Sequence, residues 1–278
     1  MAALRAAQPA SKRPEDRYFL LSLRIIWGMS NYLRNASNIL RFPGLGGKVM
    51  RRRAIVLTGA MVSCLATVSV ARATDYHAMA PIEQYMMASP ADEIALARTA
   101  APSSISADAE VLVLGPRGYT TAVKGKNGFV CLVERAWDAE FGNPVFWSPI
   151  VRGPDCLNPA AVRSVLPHFL ERTRWVLAGL SIPEMIKRTK AELAAKTYVL
   201  PEPGAMSFMM SKVQLLSNEG MHWHPHLMFF VANTSNADFG ANLPGSPVFH
   251  PFPSAPDPVA TFLVPVGMWS DGTPAPAM

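Results

Sequence analysis

Hydrophobic and polar positions along residues 74–278 change their period three times, from helical to alternating, back to helical, and to alternating again. The first helical stretch is "SPADEIALARTAAP". Ser89 stands as N-cap, Pro90 at the first helical position and Asp92 at the acidic N3 place, with Pro102 beyond the end. A further short helix is expected across 79–87. Alternation then takes over in "AEVLVLGPRGYTTAVKGKNGFVCLVER", which predicts strands at 109–114, 118–124 and 129–135. Gly-Pro-Arg-Gly separates the first two, and Gly125-Lys126-Asn127-Gly128 the second and third. Asn-Gly between two β-rich runs is a strong hairpin signal, so the three strands read as an antiparallel β-meander.

No period holds from Trp137 to Pro159, where Pro144, Pro149 and Pro154 interrupt the chain, and this stretch is expected to be loop. Asn158-Pro159 then caps a helical run that Pro167 should kink or split in two. Ser181 and Glu184 form a capping box for a helix that runs to about Lys196. Its charged face (Lys187, Arg188, Lys190, Glu192) reads as a solvated surface. Strands return at about 205–211, 225–232 and 259–266. The segment between the last two carries six prolines from 244 to 258 and reads as an ordered loop or lid. Strands, helices and strands again predict one α+β domain with a largely antiparallel sheet, a β-meander and two to four helices.

The N-terminal residues belong to a different class. "MRRRAIVLTGAMVSCLATVSVARA", residues 50–73, has a positive start, an apolar run and an A-x-A cleavage site, the order of a secretory signal peptide. Cleavage is expected after Ala73; an uncleaved segment would be the chain's one membrane contact. Residues 1–49 are read as a non-native upstream extension or a disordered leader, and residues 74–278 as the exported domain, periplasmic or secreted. Residues 1–73 hold 12 Lys and Arg against 2 Asp and Glu, while residues 74–278 hold 14 against 18. The basic balance therefore lies in the signal and its leader. The domain has no basic footprint of the kind a nucleic-acid partner requires.

Cysteine use fits export. Cys131 and Cys156 remain after the signal leaves, and in an oxidising compartment an even pair is most simply one disulfide. It would tie the 137–159 loop to the third strand.

The candidate chemistry lies in "MHWHPHLMFF", residues 221–230. Alternate side chains of an extended segment share a face, so His224 and His226, with His222 following, can approach one metal ion from one side. Pro225 lacks an N–H and confines the stretch to an edge or the start of a strand. Further ligands would come from His250 in the proline-rich loop, from Glu219 or from Asp238, and zinc is the metal such a donor set suits. Met206, Met209, Met210, Met221 and Met228 crowd the same strands, and thioethers favour Cu(I). The competing reading is structural: Trp223, Phe229 and Phe230 build a core edge, and the histidines are hydrogen-bonded at its rim.

Residues 74–278 contain no G-x-S-x-G, S-x-x-K, H-E-x-x-H, C-x-x-C, phosphate-loop or dinucleotide-glycine motif. The runs "NGFVCLVER", "EPGAMSFMMSK", "HWHPHLMFF", "LPGSPV" and "WSDGTPAP" resemble those of a family of exported bacterial proteins with no assigned activity. That resemblance implies an intact bacterial domain and carries no catalytic residues with it. Two functions follow: a metal-binding or metal-dependent protein using the histidines, or a non-catalytic exported binding or structural domain in which they are packed. Neither names a small-molecule or protein partner.

Overall fold

The computed structural model describes residues 76–218, 222–232, 234–253 and 255–277. The signal segment 50–73, the leader 1–49, the 73–74 cleavage point, Glu219 and Met221 lie outside them. Seven strands form one sheet: β1 Glu110–Gly115, β2 Gly118–Val123, β3 Val130–Glu134, β4 Gly153–Leu157, β5 Met206–Met209, β6 His226–Ala232 and β7 Val259–Pro265, in the order β2-β1-β3-β4-β5-β6-β7. Among the described residues six helices accompany it: α1 Pro90–Arg98, α2 Ser103–Ser106, α3 Pro159–Ser164, α4 Leu166–Leu177, α5 Ile182–Ala195 and α6 Asn236–Phe239. The domain is α+β with a mostly antiparallel sheet.

Local signals placed the helices. Ser89 Oγ accepts the Asp92 N–H at 3.1 Å, and Asn158 Oδ1 accepts the Ala161 N–H at 2.9 Å, each satisfying an otherwise orphaned donor. Pro167 splits its run into α3 and α4, as its missing donor requires. Glu184 reaches back to the Ser181 N–H at 2.8 Å, and α5 ends on Lys196 in the left-handed region. Residues 79–87 yield only a single 3-10 turn, Ile82–Gln84.

The sheet differs from the expected meander. β1 and β2 form a hairpin closed by the Gly115–Gly118 pair, but β3 runs parallel to β1 on its other side. The Asn127-Gly128 turn therefore joins no hairpin. It carries the chain around the start of β1, where Lys126 N–H bonds the Asp108 carbonyl at 2.8 Å and Glu110 N–H bonds Phe129 at 2.9 Å. The crossing is so close that a β-carbon at Gly125 would stand 2.2 Å from the Glu110 nitrogen. The true meander is β3 to β7, five strands antiparallel in succession.

β4 corrects the expected 137–159 loop. It is buried along its whole length although its sequence is Gly-Pro-Asp-Cys-Leu. Pro154 sits opposite Val133, and β5 pairs only with Cys156 and Leu157. The donor-less nitrogen thus meets no ladder partner it would deprive. Cys131 and Cys156 are register partners on β3 and β4 and form the disulfide. The bond joins two neighbouring strands rather than tethering a loop, and it is consistent with an oxidising compartment.

The two faces of the sheet pack differently. Ala97 of α1, with Ala100 and Ala101 just beyond it, covers Val111, Cys131, Val133 and Cys156 on one face. Val165, Leu166 and Phe169 of the α3–α4 region cover Leu132, Leu157, Met209, Met228 and Phe230 on the other. Among the described residues no helix is long and apolar enough to cross a membrane.

Candidate functional site

The α4 side of the sheet does not close completely. Between β3–β7, α4, the 135–151 segment and the 251–257 loop lies a cavity of about 190 Å³. Strand alternation decides what faces it. Glu134, Gly153, Met209, His226, Met228, Phe230, Thr261 and Leu263 lie on one face of the sheet, and Val165, Phe169 and Trp223 complete an apolar wall.

One end of the cavity is polar. Asp138 is only 5 % exposed; its Oδ2 accepts the Arg135 N–H at 2.9 Å and the Tyr119 hydroxyl at 3.3 Å, while its Oδ1 has no hydrogen-bond partner. Glu134 Oε1 is also buried, and the Glu134 carboxyl hydrogen-bonds that of Asp155. Asp155 lies behind it, fully buried on the same face of the neighbouring strand, two residues beyond the Gly153 that opposes Glu134. Burial and the neighbouring carboxyls of Asp155 and Asp138 push Glu134 well above the usual carboxylate range. Burial raises Asp138 to about 6 and Asp155 to about 7, although hydrogen bonds and the nearby Arg172 and Arg135 oppose it at Asp138.

The cations here are already engaged. Arg135 donates to Glu93 and to the Tyr85 carbonyl, both at 2.8 Å, and also to the Val133 carbonyl. Arg172 donates to Asp257 at 2.7 Å and lies 4.2 Å over the Phe141 ring, and Asp257 also accepts the Phe141 N–H. The loop carrying Asp257 is thereby fixed against α4 and the 135–151 segment. The His168 ring stacks on Tyr198 at 3.8 Å and donates Nε2–H to the Val199 carbonyl.

The histidines of the 221–230 segment do not converge. His226 is buried, its Nδ1–H donates to the His224 carbonyl at 2.7 Å, and Trp223 packs edge-on against it at 4.6 Å. Burial lowers it to about 4, so it is neutral near pH 7. His222 is exposed and donates Nδ1–H to the Gln214 carbonyl; His224 is half-buried. Phe249 bridges Leu263 on the cavity face, which turns His250 to the opposite face, against Phe262 at 5.0 Å and bonded to Asn236. The expected meeting of His250 with His226 therefore fails, because an odd step along an extended segment reverses the face. Asp238 is no ligand partner either: it caps α6, accepting from Thr234 and Ser235. Among the described residues no three His, Cys, Asp or Glu side chains form a group that could hold a metal.

Met209 and Met228 belong to the core cluster with Leu132 and Phe230. Met206, an odd step from Met209 on β5, faces the other side. Of the expected histidines, His226 alone lines the cavity, joined by Trp223 and Met228 from the same segment and by Met209 of β5. The polar end escaped sequence reasoning because Glu134, Asp138 and Asp155 come from two strands and a turn whose proximity is tertiary. The signal in the sequence was Asp155 itself, an acid inside the otherwise apolar "GPDCL". No family model, curated protein or solved structure matches the chain.

Proposed function

We propose that residues 74–278 form an exported, non-catalytic binding domain for a small organic molecule held in the cavity between the sheet and α4. The observation that carries this reading is the cavity's division into an apolar wall and a polar end lined by Glu134, Asp138, Glu140 and Arg172. That is the usual composition of a small-molecule site, where apolar walls supply affinity and a few fixed polar groups supply orientation. Export is supported by the tripartite segment 50–73 and by the disulfide, and the domain would work in the periplasm or outside the cell. The histidines serve as packing in this reading: His226 is neutral, hydrogen-bonded and covered by Trp223.

The test uses benzyl alcohol as probe and the methionine methyls as reporters, since Met209 and Met228 line the cavity. With methyl-labelled protein, millimolar benzyl alcohol should shift these two resonances saturably. In a Leu263→Trp variant, which places an indole in the same space, the shifts should vanish while the rest of the spectrum is retained. An unshifted wild-type spectrum at 20 mM probe would remove the reading.

A further inference from the structure

We infer that the cavity's ligand is an uncharged aromatic alcohol or phenol whose hydroxyl donates a hydrogen bond to His226 Nε2. This rests on the binding-domain reading and names the chemistry of its ligand. Geometry fixes the tautomer of the ring. A carbonyl only accepts, so the 2.7 Å contact with the His224 carbonyl requires a proton on Nδ1. A neutral ring then carries a lone pair on Nε2, and burial keeps His226 neutral near pH 7. Nε2 has no hydrogen-bond partner among the described residues, yet it is not one of the buried atoms sealed away without one. His226 lines the cavity, and Nε2 belongs to the half of the ring farther from the strand, so its lone pair opens onto that space. An acceptor so placed calls for a donor, and one fixed polar atom in an apolar pocket is what orients a ligand.

The charges at the polar end are already balanced within the protein. Arg135 pairs with Glu93, and Arg172 with Asp257. The Glu134 carboxyl hydrogen-bonds that of Asp155, and Glu140 accepts the Thr261 hydroxyl. Burial pushes Glu134 and Glu140 up, toward their uncharged forms. Asp138 is held by the Arg135 N–H and the Tyr119 hydroxyl on one oxygen, and its other oxygen is sealed from the cavity. An ionic ligand of either sign would leave water without meeting a counter-charge, so the cavity selects neutral molecules.

The wall determines the rest of the ligand. Phe169, Met209, Trp223, Met228, Phe230 and Leu263 offer aromatic and hydrocarbon surface. The cavity holds about 190 Å³, and an apolar cavity of about 150 Å³ already admits benzene. One ring with a short hydroxyl-bearing arm therefore fits. Trp223 packs edge-on against the His226 ring at 4.6 Å, which steadies the imidazole in place. A metal ion on the same lone pair would need further donors, and the described residues form no such group.

The experiment reads the hydrogen bond by NMR on the mature domain at pH 7, with isotope-labelled histidine nitrogens and methionine methyls. Benzyl alcohol and ethylbenzene are the probes, since they differ by a hydroxyl in place of a methyl. Both should shift the Met209 and Met228 methyls, and benzyl alcohol alone should move the unprotonated Nε2 resonance of His226 upfield. His226→Phe should weaken benzyl alcohol about three- to tenfold, the worth of one hydrogen bond, and leave ethylbenzene nearly unchanged. Benzylamine and benzoate, both ionised at this pH, should bind about tenfold or more weakly than benzyl alcohol. If the variant fails to fold, the wild-type spectra decide. An Nε2 resonance that stays in place while benzyl alcohol shifts the methyls, or a spectrum that puts the proton on Nε2, would overturn the assignment and leave the binding-domain reading standing. A variant that weakens both probes alike, or an ion that binds as tightly as the alcohol, would do the same. If benzyl alcohol moves neither methyl, both readings fall.

Discussion

Arg135, immediately after β3, and Glu93, on α1, form a buried ion pair at 2.8 Å, with side-chain exposures of 0 % and 3 %. Glu93 also accepts the Leu114 N–H of β1 at 3.1 Å, so one carboxylate joins a helix, the edge of the cavity and a strand. Breaking a buried pair leaves an uncompensated charge, which costs about 3–5 kcal/mol. Glu93→Ala should therefore lower the unfolding free energy by that amount, whereas Glu202→Ala, which breaks the exposed pair with Arg163, should leave it nearly unchanged. Urea titration of the two variants checks the contrast.

The Cys131–Cys156 bond closes a loop of 25 residues within a ladder that would hold the two strands in register without it. The chain-entropy model assigns such a bond about 3 kcal/mol, acting on the unfolded chain. A Cys131→Ser, Cys156→Ser double variant should keep the native spectrum, with stability lower by about that amount. Both sulfurs are buried, so the native protein should resist millimolar reductant until it is partly unfolded.

The buried carboxyls give stability a pH dependence whose sign is fixed. Asp155 titrates at about 7 in the folded domain against an ordinary value near 3.8. The folded state thus holds a proton that the unfolded chain releases between those values. Its contribution is fully present below about 3.8 and is lost as pH rises through 7. Asp138, at about 6, acts in the same direction. His226 acts in the opposite one: folded at about 4 and ordinarily at 6.5, it favours folding above 6.5 and loses that contribution as pH falls through 4. Asp155→Asn removes one carboxyl term and leaves the histidine. Relative to wild type, the variant should gain on the order of 3 kcal/mol between pH 5 and pH 8, read from thermal unfolding across that range.

His226→Ala distinguishes a packed histidine from a metal ligand. A buried ring lost against Trp223 should cost about 2–4 kcal/mol through the void it leaves. Zinc and copper content, measured by mass spectrometry on untagged protein from the periplasm, should be the same in variant and wild type. Stoichiometric metal in the wild type that disappears from the variant would reinstate the histidine site.

Export predicts a mature chain beginning near Thr74. N-terminal mass spectrometry of the protein from its native host should find that species, and a dominant form retaining residues 1–49 would refute it.

The helix boundaries were legible because each is set by atoms a few residues apart. Ser89, Asn158 and Ser181 cap helices by bonding to their own first turns, and Pro167 breaks a helix wherever it stands in one. The Cys131–Cys156 pairing was also legible, from the even cysteine count of residues 74–278 and the expectation of export. Strand partners were not, because a ladder bond joins residues whose distance along the chain says nothing of their order in the sheet. Asn127-Gly128 made its turn, yet the close approach at Gly125 sent β3 to the far side of β1. β4 became a strand only because β3 accepts it along its whole length despite Pro154 and Asp155. The histidine segment was found but misjudged, since the bridge from Phe249 to Leu263 fixes which way His250 turns. The carboxyl end of the cavity is the most tertiary feature of all. Three acids acquire their raised pKa values only when the fold excludes water from them and sets them beside one another, and no local pattern encodes that exclusion.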